Sequence, residues 1–118
     1  MPDNEILDQP TLAALLDSVG GDVDFLKELV DAYLDSTPGL FAAMRQAAAA
    51  GDAAGLQRAA HTLKTGSANM GALTLAAQCK QLEDMGKSGA LEDVEPRIDA
   101  AAAAYEDVAA ALRDRFQA

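Results

Sequence analysis

Residues 56–70 read LQRAAHTLKTGSANM, and the spacing of their side chains indicates the class of fold. Each residue of an α-helix turns by about 100°, which places the small and apolar side chains of this segment within about 60° of Leu56. Those side chains are Ala59, Ala60, Leu63, Ser67 and Met70. Such side chains recurring every three or four positions are typical of a helix that buries one face. The segment therefore predicts a helix packed against other helices.

The same spacing recurs along the rest of the chain. We predict six helices, whose inward-facing residues lie within 12–19, 25–34, 40–50, 56–70, 75–82 and 94–116. Thr37 is interpreted as the N-cap of the third helix, with Pro38 at its first position, where a missing N–H costs little. Gly86 and Gly89 are interpreted as the end of the fifth helix. No segment alternates with period two over five or more residues, so we predict no strand.

The short connections between the predicted helices make consecutive helices antiparallel. We therefore predict an all-α fold, an antiparallel up-down four-helix bundle made by the last four helices and capped by the two N-terminal ones. The sequence shows no repeat or linker, so residues 1–118 are expected to form a single domain, for which this length is usual. With 27 Ala against five aromatic residues, the core is expected to consist mainly of Leu, Ala and Val.

The charge and cysteine content exclude several classes of protein. The net charge of −10 argues against binding to nucleic acids or anionic membranes, which need a positive surface. The single cysteine excludes an intramolecular disulfide and fits a reducing compartment. The longest apolar run, residues 100–105, is too short to cross a bilayer, and residues 1–5 lack the apolar stretch of a signal peptide. We therefore expect a cytoplasmic protein.

The acidic charge is unevenly distributed along the chain. Residues 38–91 carry five basic and three acidic side chains, a net charge of +2, whereas the segments on either side are strongly acidic. The only histidine, His61, lies within this mildly positive segment. Such a segment on an acidic protein can receive an anionic group or an acidic partner.

His61 is expected to point away from the core. It falls near 140° from Leu56 on the helical projection, in the middle of the polar arc, with Lys64 and Thr65 beside it three and four residues later. An exposed imidazole next to an ammonium group suits a nucleophile that carries a phosphoryl group. A lone histidine near a lysine is also common on protein surfaces, so the residues alone leave both interpretations open.

The neighbours of His61 suggest a docking surface, and other chemistries lack the residues they need. We expect Gln57, Arg58, Ala60 and Ala68 to contact a partner, because small side chains near His61 allow close approach. Cys79 lies on the inward stripe of its own helix, so no His/Cys metal site is expected. The sequence also lacks a recognisable hydrolase triad and any glycine-rich nucleotide-binding motif.

Several separated motifs resemble those of histidine-containing phosphotransfer (Hpt) domains. Residues 60–72 read AHTLKTGSANMGA and are similar to the phosphoacceptor motif A-H-x-L-K-G-x-(S/A)-x-x-x-G-A of that family. Residues 75–83 are similar to its continuation L-x-x-x-C-x-x-L-E, and residues 20–26, GGDVDFL, to its opening segment. The resemblance extends over nearly the whole chain.

The resemblance implies a role for each residue at the centre of the motif. His61 would be the phosphoacceptor, Lys64 would stabilise the phosphoryl group, and Glu83 would orient the imidazole by accepting a hydrogen bond from one ring N–H. Thr65 stands where the family often has glycine, and the glycine comes one residue later, at Gly66. Two roles stay open for Thr65: its hydroxyl could bond the imidazole or the phosphate, or its methyl group could narrow access.

The resemblance also implies a function in a bacterial two-component phosphorelay. The protein would accept a phosphoryl group from the aspartate of one response-regulator receiver domain, or of a hybrid sensor kinase, and pass it to another receiver. It would need no cofactor of its own, because the receiver brings Mg²⁺. We expect a monomeric carrier that neither hydrolyses ATP nor phosphorylates itself.

Two alternative functions remain. The phosphoacceptor domain of a histidine kinase usually shows H-(E/D)-x-x-x-P, whereas Thr62 follows His61 here and the next proline is Pro96. A catalytically silent helical adaptor, which binds a receiver or a partner helix by its surface alone, is the other. The presence of both His61 and Lys64 argues against the adaptor.

Overall fold

The computed structural model describes residues 6–117, and within them the chain forms five α-helices and no strand. The helices are α1 (Gln9–Ser18), α2 (Val23–Ala50), α3 (Ala53–Asn69), α4 (Leu73–Ser88) and α5 (Val94–Phe116). The all-α prediction is therefore confirmed. None of the helices in this part of the chain combines the length and apolarity needed to span a membrane. Residues 1–5, in which no signal peptide is expected, lie outside the described residues.

Aspartates begin three of the helices and glycines end two of them. Asp8, Asp22 and Asp52 each accept a hydrogen bond from the backbone N–H three residues later, at 3.1, 3.1 and 2.9 Å. These bonds satisfy N–H groups that have no partner within the helix. Gly51 and Gly89 end α2 and α4 with φ of 68° and 75°, in the left-handed region that glycine adopts without strain.

The predicted boundary between the second and third helices is wrong, because α2 continues through Pro38, and the described residues form five helices instead of six. Proline has no N–H to donate, which deprives the carbonyl of Leu34 of its helical partner. The Tyr105 hydroxyl of α5 donates to that carbonyl at 3.4 Å. One residue before the proline, the Thr37 hydroxyl donates to the Tyr33 carbonyl at 2.6 Å instead of capping a new helix. A side chain from another helix thus offsets the lost bond, and the chain has no reason to break.

Gly86 does not help to end the helix it occupies, contrary to the prediction. It lies inside α4 and is buried, and a Cβ atom there would come within 2.7 Å of the Gln57 backbone N and 2.8 Å of the Ala53 carbonyl O. Real Cβ atoms do not approach other atoms so closely. The missing side chain therefore lets the backbones of α3 and α4 come together.

The four longer helices pack in a closed ring. Helix α2 contacts α3 and α5, and α4 contacts the same two helices from the opposite side of the ring. Short α1 packs on α2 and α3, and the Asp8 N–H donates to the Gly71 carbonyl in the turn that joins α3 to α4. The predicted cap of two helices is therefore wrong, because the second of them is the first half of α2.

The core contains the expected leucine and alanine side chains and little aromatic area. Leu56 and Leu63 of α3 and Leu75 and Leu82 of α4 are at most 1% exposed. Burial of each leucine side chain stabilises the fold by about 1.5–3 kcal/mol. Cys79 is also fully buried, which confirms that it is a core residue, and burial raises the pKa of its thiol to about 12.

Candidate functional site

Helix α3 holds His61 on its outer face, as the projection predicts. Leu56 and Leu63, which lie on the core stripe of the same helix, are buried, whereas the His61 side chain is 60% exposed. The inward leucines fix the rotation of the helix, because turning His61 inward would expose them to water. The exposure of the imidazole is therefore a consequence of the core packing.

Glu83 of α4 joins the imidazole to the lysine one turn away. Its Oε2 lies 2.6 Å from His61 Nδ1, and its Oε1 lies 2.6 Å from Lys64 Nζ. The Glu83 side chain is only 4% exposed. Gly86, one turn further along α4, sets this geometry by allowing the two helix backbones to approach. A buried carboxylate and a half-buried lysine thus lie beneath an exposed histidine.

The charge state of Glu83 determines which imidazole nitrogen is free. The hydrogen bond from Lys64 is the largest influence and holds the pKa of the Glu83 carboxyl below its usual range, although burial opposes it. The hydrogen bond from His61 and the charge of Lys87 lower the pKa of this carboxyl further. An ionised carboxylate only accepts hydrogen bonds, so Nδ1 of His61 must carry the proton. The neutral ring then presents an unprotonated Nε2.

An open cleft lies beside His61 and Glu83 between α3 and α4. The residues lining it are Gln57, Arg58, His61, Thr62, Glu83 and Lys87. Lys87 was not among the predicted site residues. Its spacing of four residues from Glu83 was the available signal, since side chains four apart on a helix lie on the same face.

The Thr65 hydroxyl does not bond the imidazole in this structure. It donates to the backbone carbonyl of His61 at 3.1 Å, a bond within α3. The side chain remains exposed beside His61, so an effect of its methyl group on access to the imidazole stays a prediction.

The predicted docking residues fall into two groups. Arg58 is exposed, and Gln57 and Ala68 are partly buried, so each has surface that a partner can contact. Ala60 is fully buried, and the prediction that it belongs to the docking surface is wrong. It lies only about 40° from Leu56 on the helical projection, within the core stripe.

Comparisons with known proteins agree with this geometry. Residues 28–114 match the family model of the Hpt domain. The chain belongs to the Hpt family. Its structure is similar to the crystal structure of histidine-containing phosphotransfer protein B (HptB) from Pseudomonas aeruginosa PAO1, with a TM-score of 0.87 and 30% sequence identity over 95% of each chain. A comparison with curated protein sequences finds no match.

Membership of the Hpt family establishes the general function of the chain. It acts in histidine phosphotransfer in phosphorelay signalling, and Hpt domains are phosphoryl carriers that interact with receiver domains and kinases. The resemblance drawn from residues 60–72 is therefore confirmed.

Proposed function

We propose that Nε2 of His61 accepts a phosphoryl group from the aspartyl phosphate of one receiver domain and passes it to the aspartate of another. The observation that carries this proposal is the 2.6 Å contact between Glu83 and Nδ1. It occupies one ring nitrogen and leaves the other available on an exposed side chain. His61 is also the only histidine of the chain.

The transfer requires no proton to move. The Nε2 lone pair attacks the phosphorus, the bond between phosphorus and the carboxyl oxygen of aspartyl phosphate breaks, and the receiver's carboxylate leaves. Because Nδ1 keeps its proton, the phosphorylated ring is positively charged, and the Glu83 carboxylate faces that charge. The reverse sequence passes the phosphoryl group to a second receiver with the same arrangement.

Lys64 supplies positive charge beside the reacting imidazole. Its side chain is 29% exposed, so water screens it less than a fully exposed lysine. The ion pair with Glu83 holds its ammonium near His61 before the phosphoryl group arrives. Catalysis of phosphoryl transfer consists mostly of positioning and of stabilising the moving charge, and Glu83 and Lys64 contribute to both.

The partner supplies the remaining components. We expect Mg²⁺ and the aspartate carboxylates on the receiver domain, with no cofactor and no autokinase or ATPase activity in this chain. Gln57, Arg58 and Ala68 would contact the receiver, or the receiver domain of a hybrid sensor kinase. A monomer in the cytoplasm fits serial docking on such partners.

A panel of phosphorylated receiver domains tests the proposal. We expect the wild-type protein to acquire an acid-labile, base-stable phosphate, as phosphohistidine is, and His61→Gln to acquire none. Circular dichroism should be unchanged in the variant, because substitution of an exposed side chain typically alters stability by within about 0.5 kcal/mol. Phosphorylation of folded His61→Gln would contradict the proposal.

A further inference from the structure

Lys64 cannot offset the charge of the phosphoryl group alone. Its ammonium already lies 2.6 Å from Glu83, whose carboxylate also faces His61. A phosphoryl group on Nε2 adds up to two negative charges beside that carboxylate. The positive charge on the ring and the charge of Lys64 are then shared between Glu83 and the phosphoryl group. A further cation at the cleft would stabilise the phosphorylated state.

Lys87 is in the right place to be that cation. Gly86 packs against the backbone of Gln57 while Glu83 contacts His61, so α4 runs antiparallel to α3 and brings Lys87 to the wall of the cleft that contains the imidazole. The position is exposed.

The Lys87 ammonium is also uncommitted. Lys87 forms no ion pair with any residue between positions 6 and 117. Lys80 lies on the same helix, three residues before Glu83 instead of four after it, and it differs in both respects. It pairs with Asp84 at 3.3 Å and does not line the cleft.

We propose that Lys87 is a second phosphoryl-binding residue, whose ammonium contacts the phosphoryl group on His61 while Lys64 stays paired with Glu83. The inference rests on the proposed function. Lys87 also acts electrostatically on Glu83, because the charge of Lys87 helps to lower the pKa of that carboxyl. The sequence gives no other lysine within one turn of Glu83 on the C-terminal side.

The protonation of the phosphohistidine measures this contact without any partner protein, because a nearby ammonium disfavours the more positive, protonated form. Potassium phosphoramidate serves as the donor: its N–P bond breaks, the Nε2–P bond forms, and ammonia leaves. The ³¹P NMR shift of the phosphohistidine is then followed against pH for the wild type, Lys87→Ala, Lys87→Arg and Lys80→Ala. The two alanine variants remove the same charge from exposed positions of one helix.

We expect Lys87→Ala to raise the pKa of the phosphohistidine by roughly 0.3–0.7 at low salt, because an ammonium nearby disfavours its protonated form. Lys87→Arg should restore the wild-type pKa, and Lys80→Ala should change it by less than about 0.2. The difference should disappear in 1 M salt, where the Debye length is about 3 Å.

Two results would overturn the assignment while leaving the proposed function intact. One is a phosphorylated Lys87→Ala protein that titrates as the wild type does, and the other is an equal shift in Lys80→Ala. A wild-type protein that forms no phosphohistidine, either with phosphoramidate or with phosphorylated receivers, would overturn the proposed function together with this inference.

Discussion

The interface between α2 and α5 and the interface between α3 and α4 differ in the kind of contact that forms them. Between α2 and α5 the contact is aromatic and closed. The centroid of the Tyr105 ring lies 6.0 Å from the ring centroid of Tyr33 and 5.8 Å from that of Phe41. Between α3 and α4 the backbones approach closely at Gly86, and a charged cluster opens to solvent at His61. In each interface a polar side chain bonds a group on the neighbouring helix. The Tyr105 hydroxyl bonds the Leu34 carbonyl that Pro38 leaves without a partner, and Glu83 bonds Nδ1 of His61.

The difference separates stability from chemistry. Removal of aromatic area costs folding free energy but leaves the phosphoacceptor untouched, whereas removal of an ionic contact near the surface affects the reaction more than the fold. Variants of the two interfaces should therefore fail in different assays.

The largest effect on stability is expected from Tyr105→Ala. Loss of a buried aromatic side chain costs about 3–5 kcal/mol in the free energy of unfolding. Urea denaturation measures this loss, and transfer from a phosphorylated receiver to the folded fraction should stay within about twofold of the wild type. Tyr105→Phe, which removes only the hydroxyl that bonds Leu34, should cost about 1 kcal/mol. A Tyr105→Ala protein with wild-type stability would show that the aromatic contact does not support the fold.

Gly86→Ala should damage both properties at once. The new Cβ would meet the Gln57 backbone N at 2.7 Å, so the two helices must separate. Overpacking of this kind costs about 1–3 kcal/mol and moves Glu83 away from His61. We expect slower transfer together with a lower denaturation midpoint. Gly39→Ala is the matched control, because a Cβ at Gly39, within α2, would meet no atom within 4 Å. An unchanged transfer rate in a destabilised Gly86→Ala protein would show that the close approach of α3 and α4 is not needed to position Glu83.

Glu83→Gln should slow transfer by about tenfold, equivalent to about 1.4 kcal/mol, with a smaller effect on the fold. The amide keeps the shape of the side chain but removes the charge that Lys64 and the phosphorylated ring face. Quenched-flow measurement of phosphohistidine formation gives the rate. A rate within twofold of the wild type would mean that the Glu83 charge has no part in the reaction.

The same variant has a defined pH dependence. The pKa of Glu83 is lower in the folded protein than its usual value, so its charge stabilises the fold above that value and the benefit disappears as the pH falls through the folded pKa. The stability difference between the wild type and Glu83→Gln should therefore be present at pH 7 and vanish under strongly acidic conditions. A stability difference that grows with acidity would show that the pKa of Glu83 is raised in the folded protein, not lowered.

Thr65 variants should give the smallest effects. Its hydroxyl is bonded to the His61 carbonyl, so Thr65→Val and Thr65→Ser should transfer within about twofold of each other. Thr65→Gly removes the methyl group and should accelerate docking, at a helix cost of about 0.5–1 kcal/mol. Rapid kinetics with a phosphorylated receiver distinguish the variants. A Val variant much slower than Ser would instead place the hydroxyl in the reaction.

Local signals predicted most of the helical structure. The end of α4 at Gly89 and the outward position of His61 both depend on residues within a few positions of one another. Such features follow from helix periodicity and hydrogen bonding, which need no knowledge of the tertiary fold.

The features that the sequence did not predict correctly depend on residues far apart in the chain. Continuity of α2 through Pro38 depends on a hydroxyl from Tyr105, 71 positions after the carbonyl it bonds. The role of Gly86 and the placement of Lys87 depend on the register between α3 and α4. Ala60 is an exception, since the helical projection already placed it in the core stripe and its assignment to the docking surface contradicted that position.

The nitrogen of His61 that carries the phosphoryl group is the most direct test of the role of Glu83. With ¹⁵N-labelled histidine, the single imidazole gives one set of ¹H–¹⁵N NMR signals, free of overlap from other histidines. After reaction with a phosphorylated receiver, phosphorus coupling should appear on Nε2 while Nδ1 keeps its proton toward Glu83. Phosphorus on Nδ1, or a phosphorylated protein whose imidazole signals do not change, would contradict the claim that Glu83 selects the nucleophilic atom.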